Sequence, residues 1–148
     1  MFELVYYSIA NSDFTEPEIL RMLDGARKFN KEQEITGCLL YHKGVFVQLL
    51  EGEKTKVESL YQKISSDERH NHVTLLASAP KDSRVFGNWE MAFVPLNEDE
   101  ASALSRQMGI AVSGYASGSD SPLHGLSRED ASHVLWVFHT FSKELLAS

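Results

Sequence analysis

Residues 1–96 predict an α+β domain, and three features of the sequence carry that expectation. Strand-length apolar runs recur at Phe2–Ser8, within Ile35–Glu53, at Val73–Ala79 and at Met91–Leu96. Two stretches between them place apolar residues three and four apart, the helical period. Turn-forming residues separate the segments. The resulting order is β-α-β-β-α-β-β, with each helix crossing over between strands. That order gives a ferredoxin-like sheet with two helices on one face. Residues 97–148 read as a C-terminal helical extension.

Strand one, Phe2–Ser8, is rich in β-formers and alternates weakly, and Asn11-Ser12-Asp13 breaks it. Thr15 is placed to cap the first helix, with Glu16, Pro17 and Glu18 in its first turn, where acids and proline are favoured. This helix is expected to run to about Lys31. Its stripe of Ile19, Leu23 and Ala26 continues onto Asn30. Strands two and three form the hairpin ITGCLLYHKGVFVQLLEGE, joined at Lys43-Gly44, a tight-turn pair between apolar runs. Lys54–Asp67 is the second helix, with Val57, Leu60, Tyr61 and Ile64 inward and Asp67 continuing their stripe. A polar loop through Arg69 and His70 leads to strand four, Val73–Ala79. Pro80-Lys81-Asp82-Ser83 turns the chain, and Gly87-Asn88-Trp89 leads to strand five, Met91–Leu96.

Beyond Leu96, Glu98–Met108 predicts a short helix with an acidic start, and Ser113–Gly125 a loop of small residues. Ser127-Arg128-Glu129-Asp130 resembles a capping box with Asp in the last place. The final helix puts Ala131, Leu135, Phe138, Phe141 and Leu145 on one stripe and Trp136 opposite, as a surface for a partner.

The totals narrow the class. The chain has 148 residues, 43% apolar and 24% charged, which suits one soluble domain with its own core. A net charge of −7 without a basic stripe argues against a nucleic-acid surface. The N-terminus lacks the basic region of a signal peptide, and no segment reaches the ~18 apolar residues of a membrane span, so a cytoplasmic protein is expected. A single cysteine, Cys38, excludes an internal disulfide; inside an apolar strand it has a packing role. His70 and His72 lack a third ligand, so no metal is expected. The common short catalytic motifs are absent.

What stands out is polar. Gln48 lies in the apolar run VFVQLL and shares a strand face with Phe46 and Leu50. An unpaired buried amide costs about 1–3 kcal/mol, so Gln48 needs a partner. The commoner role of such a residue is a core amide tied to backbone. The topology, however, sets strands one and three side by side, so Tyr6 and Gln48 are expected as neighbours beneath both helices. Asn30 and Asp67 lie on the inward stripes above them. Four polar groups converging on an apolar slot suit a flat ligand with polar edges.

These pieces together resemble the BLUF family of flavin-binding blue-light sensors: LVYYS with Tyr6, FN…ITGCLLY with Asn30, FVQLLEGE with Gln48, DERH with Asp67, Arg69 and His70, and FGNWEM with Trp89 and Met91. The resemblance covers about Met1–Leu96, in order and register. It implies a noncovalent flavin between the two helices, FAD in most relatives, with FMN or riboflavin as alternatives. Asn30 would bond the ring's polar edge, and Asp67, Arg69 and His70 would surround its far edge and the ribityl chain. Lys63 would meet a phosphate, and Ile35, Leu39, Phe46 and Ile64 would line the slot. Gln48 would bridge Tyr6 and the flavin, with Trp89 or Met91 beside it. Phe29 stands where some relatives have a polar residue, and Tyr7 would face away as a spectator.

The function implied is a photoreceptor rather than an enzyme. Light-driven electron and proton transfer from Tyr6 would rearrange the hydrogen bonds of Gln48, and the C-terminal helices would report the change. The partners implied are a downstream protein and further copies of this chain, as a dimer or larger. Three other classes share the fold: a flavin-dependent oxidoreductase, an acylphosphatase-type hydrolase, and an adaptor that does not respond to light. Turnover of NAD(P)H marks the first, the hydrolase lacks a phosphate-cradling loop joined to an Arg, and a colourless protein marks an adaptor that has lost its cofactor.

Overall fold

Side chains along a strand alternate between the two faces of its sheet, and in the central strands here both sets are apolar. Such strands need a layer on each side, and the C-terminal helices supply the second one. The computed structural model describes residues 1–10, 14–68, 70–87, 89–109 and 128–147, with 70, 71 and 128–131 described as backbone alone. Its elements are β1 (Phe2–Ala10), α1 (Glu16–Gln33), β2 (Thr36–His42), β3 (Val45–Gly52), α2 (Lys54–Ser65), β4 (His70–Pro80), β5 (Ala92–Pro95), α3 (Glu98–Met108) and α4 (Arg128–Ala147). The sheet order is β4-β1-β3-β2-β5. All pairs are antiparallel except β2 with β5. This is the ferredoxin-like α+β sheet expected, with one strand added at the β2 edge.

Leu4, Tyr6, Phe46 and Leu50 face α1 and α2 and pack with Ile19, Leu23 and Val57. Val5, Tyr7, Val47 and Leu49 face the other way, with Cys38 and Leu40, and pack against Ala101, Leu104, Val134 and Phe138 of α3 and α4. Tyr7 is therefore buried under the C-terminal pair, away from Tyr6. Cys38 is fully buried, and burial pushes its thiol up to about 12, which keeps it protonated and unreactive.

Local chemistry explains the element ends. Thr15 and Glu18 form a reciprocal capping box at the start of α1. Glu34 closes α1 in the left-handed conformation. At the hairpin, Lys43 (φ 42°) and Gly44 (φ 83°) both take positive φ, the pair of conformations a type I′ turn requires. Strand β4 starts three residues before its expected Val73. Its polar first residues, His70 and Asn71, pair through their backbones with Ala10 and Ile9, which side-chain polarity does not forbid. The helix α2 stops at Ser65, two residues short of the expected Asp67. The expected loop Ser113–Gly125 and the cap at Ser127 lie outside the described residues. Trp136 is 61% exposed, opposite the buried Leu135 and Phe138. Among the described residues no helix is long and apolar enough to cross a membrane.

Polar groups fasten the second layer. The buried Glu51 carboxylate accepts from Lys81 Nζ (2.6 Å), from the Val85 and Phe86 amides (2.9 and 2.7 Å) and from Thr36 Oγ1 (2.8 Å). It thereby holds the β4–β5 connection to β3. Lys81 also meets Glu3 at 2.9 Å, and His139 of α4 meets Glu3 at 2.8 Å. At the hairpin tip His42 joins Leu96 O and Glu98, tying β2 to the start of α3.

Burial works to raise the Glu51 carboxyl, but Lys81, the Val85 amide and Thr36 outweigh it and hold the group below its ordinary value of 4.5. A depressed folded value means that Glu51 stabilises the fold fully above the ordinary carboxylate range. That contribution is lost as pH falls through the folded value. Glu51→Gln is therefore expected to lose about 3 kcal/mol of unfolding free energy at neutral pH. In urea titrations its deficit against the parent should shrink steadily as the pH is lowered below 4.5.

Candidate functional site

Between the sheet and the α1–α2 layer lies a cavity of about 440 Å³. Its floor is Tyr6, Leu39, Phe46 and Gln48, from three adjacent strands. From α1 come Leu23, Ala26, Phe29 and Asn30, and from α2 come Leu60, Lys63 and Ile64, with Asp67 just beyond. The helical stripes explain this lining, because each stripe that packs on the sheet ends in a polar residue at the cavity. Asp67 reaches it although α2 has ended, because its amide still bonds Ile64 O at 3.0 Å and prolongs the turn.

Tyr6 and Gln48 are direct cross-strand partners. The Tyr6 hydroxyl donates to Gln48 Oε1, and Gln48 Nε2 donates to Met91 Sδ at 3.1 Å. Burial, and then the charges of Tyr61 and Asp67, push the Tyr6 phenol well above its ordinary value. Tyr6 is therefore neutral, and in this arrangement it donates to the amide oxygen of Gln48. The two ends of the amide are unequally held, since a phenol is a good donor while a thioether sulfur is a weak acceptor. Gln48 itself is only 8% exposed, so water does not replace either partner. Asn30 is buried and donates from Nδ2 to Glu90 O at 2.9 Å.

Most of the expected site residues gather here: Tyr6, Gln48, Asn30, Leu39, Phe46, Lys63, Ile64 and Asp67 line the cavity, and Met91 touches Gln48. Two do not. Trp89 is 46% exposed and absent from the lining, so Met91 takes the place beside Gln48. The Phe86–Trp89 turn precedes β5 and leaves Trp89 at the surface, and strand alternation does not govern it. Ile35 is fully buried beneath the cavity, near Gly52 and Val57, because the left-handed Glu34 turns the chain down into the core. Arg69 lies outside the described residues, and His70 is described as backbone alone. Sequence reasoning missed Arg21 in the lining and Arg27, whose Nε donates to Met91 O at 3.0 Å. It marked Phe29 as the loss of a polar contact. Phe29 lines the cavity and carries the Lys63 ammonium 4.4 Å from its ring centre.

The comparisons with known proteins bear on this arrangement directly. The family model described as sensors of blue-light using FAD, BLUF, matches residues 1–92. The chain belongs to the BLUF family. The alpha subunit of photoactivated adenylate cyclase from Euglena gracilis is 41% identical over 88 residues, 60% of this chain but only 9% of that relative. A solved bacterial light-regulated adenylyl cyclase is 43% identical with a TM-score of 0.61, covering 66% of this chain and 28% of that one. BlsA in its photo-activated state covers 99% of this chain and 95% of its own, with a TM-score of 0.70 and 27% identity. The cyclase similarity thus involves a small part of much longer proteins, whereas BlsA matches from end to end.

The residues present fit the flavin that the family binds. The volume lies in the range of about 300–1,000 Å³ that small-molecule and cofactor sites occupy. The walls are apolar, the buried amides of Asn30 and Gln48 supply polar contacts, and Arg21 and Lys63 add cations suited to a phosphate-bearing tail.

The Tyr6–Gln48 bond is testable without any ligand. Tyr6→Phe leaves Gln48 Oε1 without its donor and is expected to cost about 1–3 kcal/mol in urea unfolding. Adding Gln48→Leu should recover much of that loss, because both polar partners are then gone.

Proposed function

We propose that this chain is a blue-light photoreceptor that holds FAD noncovalently and signals through protein contact rather than by catalysis. In this reading electron and proton transfer from Tyr6 rearranges the hydrogen bonds of Gln48, and the C-terminal helices pass the change to a partner protein. The observation that carries it is the bridge of Gln48 between the Tyr6 hydroxyl and the Met91 sulfur, at the floor of the cavity. A bound flavin supplies absorption of blue light and a capacity to accept an electron. Asn30 would hold its polar edge, with Asp67, Arg69 and His70 around the far edge and Lys63 toward a phosphate. Leu39, Phe46 and Ile64 would pack against its faces.

The residues of the chain suit a reversible switch. Tyr6 is buried, neutral and aimed at Gln48, so a proton that leaves the phenol has the amide as its first acceptor. Rotation or tautomerisation of Gln48 gives up its weak bond to sulfur, and the Tyr6 oxygen can accept from the rearranged side chain as well as donate to it. A switch moves a population only by the energy difference between its states, here about 1–3 kcal/mol. Cys38, protonated and on the opposite face, takes no part.

A path to the C-terminal helices follows from the sheet. Met91 precedes β5, which leads directly into α3, and the odd-numbered side chains of β1 and β3 are the floor on which α3 and α4 rest. Trp136, exposed on α4, is the proposed contact for a downstream protein or a second copy of this chain.

The absorption spectrum of FAD-loaded protein before and after blue light tests the reading. A small red shift that reverses in the dark is expected. Gln48→Ala should retain flavin and lose the shift, and an unchanged photocycle in that variant would refute the assignment. Asn30→Ala should weaken flavin affinity about tenfold by titration. Sustained NAD(P)H consumption would instead favour an oxidoreductase, and bound flavin with no light response a light-insensitive flavin-binding adaptor.

A further inference from the structure

Three consecutive carbonyls, those of Trp89, Glu90 and Met91, each accept a hydrogen bond from the α1–β2 segment. The Gly37 amide donates to Trp89 O at 3.2 Å, Asn30 Nδ2 to Glu90 O at 2.9 Å, and Arg27 Nε to Met91 O at 3.0 Å. These residues lie just before β5, outside regular strand pairing, so the three bonds fix a strap that the sheet ladder does not. The strap delivers the Met91 side chain to Gln48 and leaves Trp89 at the surface.

The three donors differ in what else they do. Gly37 gives only backbone, and its bareness is required, since a Cβ there would lie 1.9 Å from Leu49 O and 3.3 Å from the Met91 methyl. Asn30 lines the cavity, where it would serve the ligand as well. Arg27 does not line the cavity, and its side chain is 38% exposed. Its guanidinium also lies 3.9 Å from Asp24, beyond hydrogen-bond range. Its directed bond is therefore to the strap.

We propose that Arg27 is a positioning residue of the light switch: by gripping Met91 O it sets where the sulfur meets Gln48, and so which orientation the amide adopts. The proposal rests on the photoreceptor reading and deepens it, because a donor outside the cavity would then tune the switch. A weak acceptor holds an amide only where it is well placed, so a small movement of the strap changes how Gln48 is held.

The test uses FAD-loaded full chain and two variants, Arg27→Leu, which keeps an apolar stem without a donor, and Arg27→Lys, which keeps charge and a donor. Two quantities are read: the dark-recovery rate after blue light, and the Met91 resonance in methyl-13C-methionine spectra of the dark protein, assigned with Met91→Ala. Arg27→Leu should move the Met91 resonance and change recovery by about threefold or more, with Arg27→Lys restoring most of both. In a Met91→Ala background the same substitution should change recovery by less than about 1.5-fold, because the residue it acts through is gone. An unmoved Met91 resonance, or equal factors in both backgrounds, would overturn the proposal. The resonance needs no photocycle, so a parent protein without light response would count against the photoreceptor reading while Arg27 is still judged by its effect on Met91.

Discussion

The register between β1 and β3 is the constraint on which the rest of this structure depends. It sets Tyr6 opposite Gln48 and turns both toward the helices, where a buried phenol and a buried amide satisfy each other. A slip of one residue in either strand would send its member of the pair to the other face, among Val5, Val47 and Leu49. The type I′ turn at Lys43-Gly44 fixes β3 against β2, and β1 completes the pairing on the other side of β3. A single hydrogen bond is thus specified by three strands and one turn. Its cost of burial is met by the apolar packing around it rather than by the bond itself.

The same strand serves both layers. Gln48 faces α1 and α2, while Leu49 and Glu51 face the side on which α3 and α4 pack. Glu51 holds the Val85 and Phe86 amides at one end of the β4–β5 connection, and Gln48 holds the Met91 sulfur at the other. A connection anchored at both ends to one strand, and running into β5 and α3, is a physical link between cavity and C-terminal helices. His139 adds a second tie, from α4 through Glu3 to Lys81 and Glu51. Lys81 lies between two carboxylates, 2.9 Å from Glu3 and 2.6 Å from Glu51.

How much of this was legible in the sequence differs by residue, for physical reasons. The hairpin, the two helices and the Tyr6–Gln48 pairing follow from period and topology, and Asn30 from the continuation of an apolar stripe. Trp89 and Met91 were not separable, because they precede β5 and no periodicity assigns their faces. Ile35 lies off the cavity lining, after a left-handed residue that redirects the chain, and a single dihedral leaves no pattern in a sequence. Arg27 was invisible: its partner is a backbone carbonyl 64 positions away, which no side-chain spacing encodes. The covering of the second face by α3 and α4 was foreshadowed by the apolar odd-numbered positions of β1 and β3, and the C-terminal helices were expected as a cap, an output element or an oligomerisation surface.

The most direct measurement is of the amide itself. In FAD-loaded protein labelled with side-chain 15N-glutamine, the Gln48 resonance is identified as the one lost in Gln48→Ala. Under blue light it should move and then return in the dark at the rate of the flavin absorption change, while the resonances of Gln33 and Gln62 stay fixed. A Gln48 resonance that does not move while the flavin spectrum shifts would contradict the account at its centre.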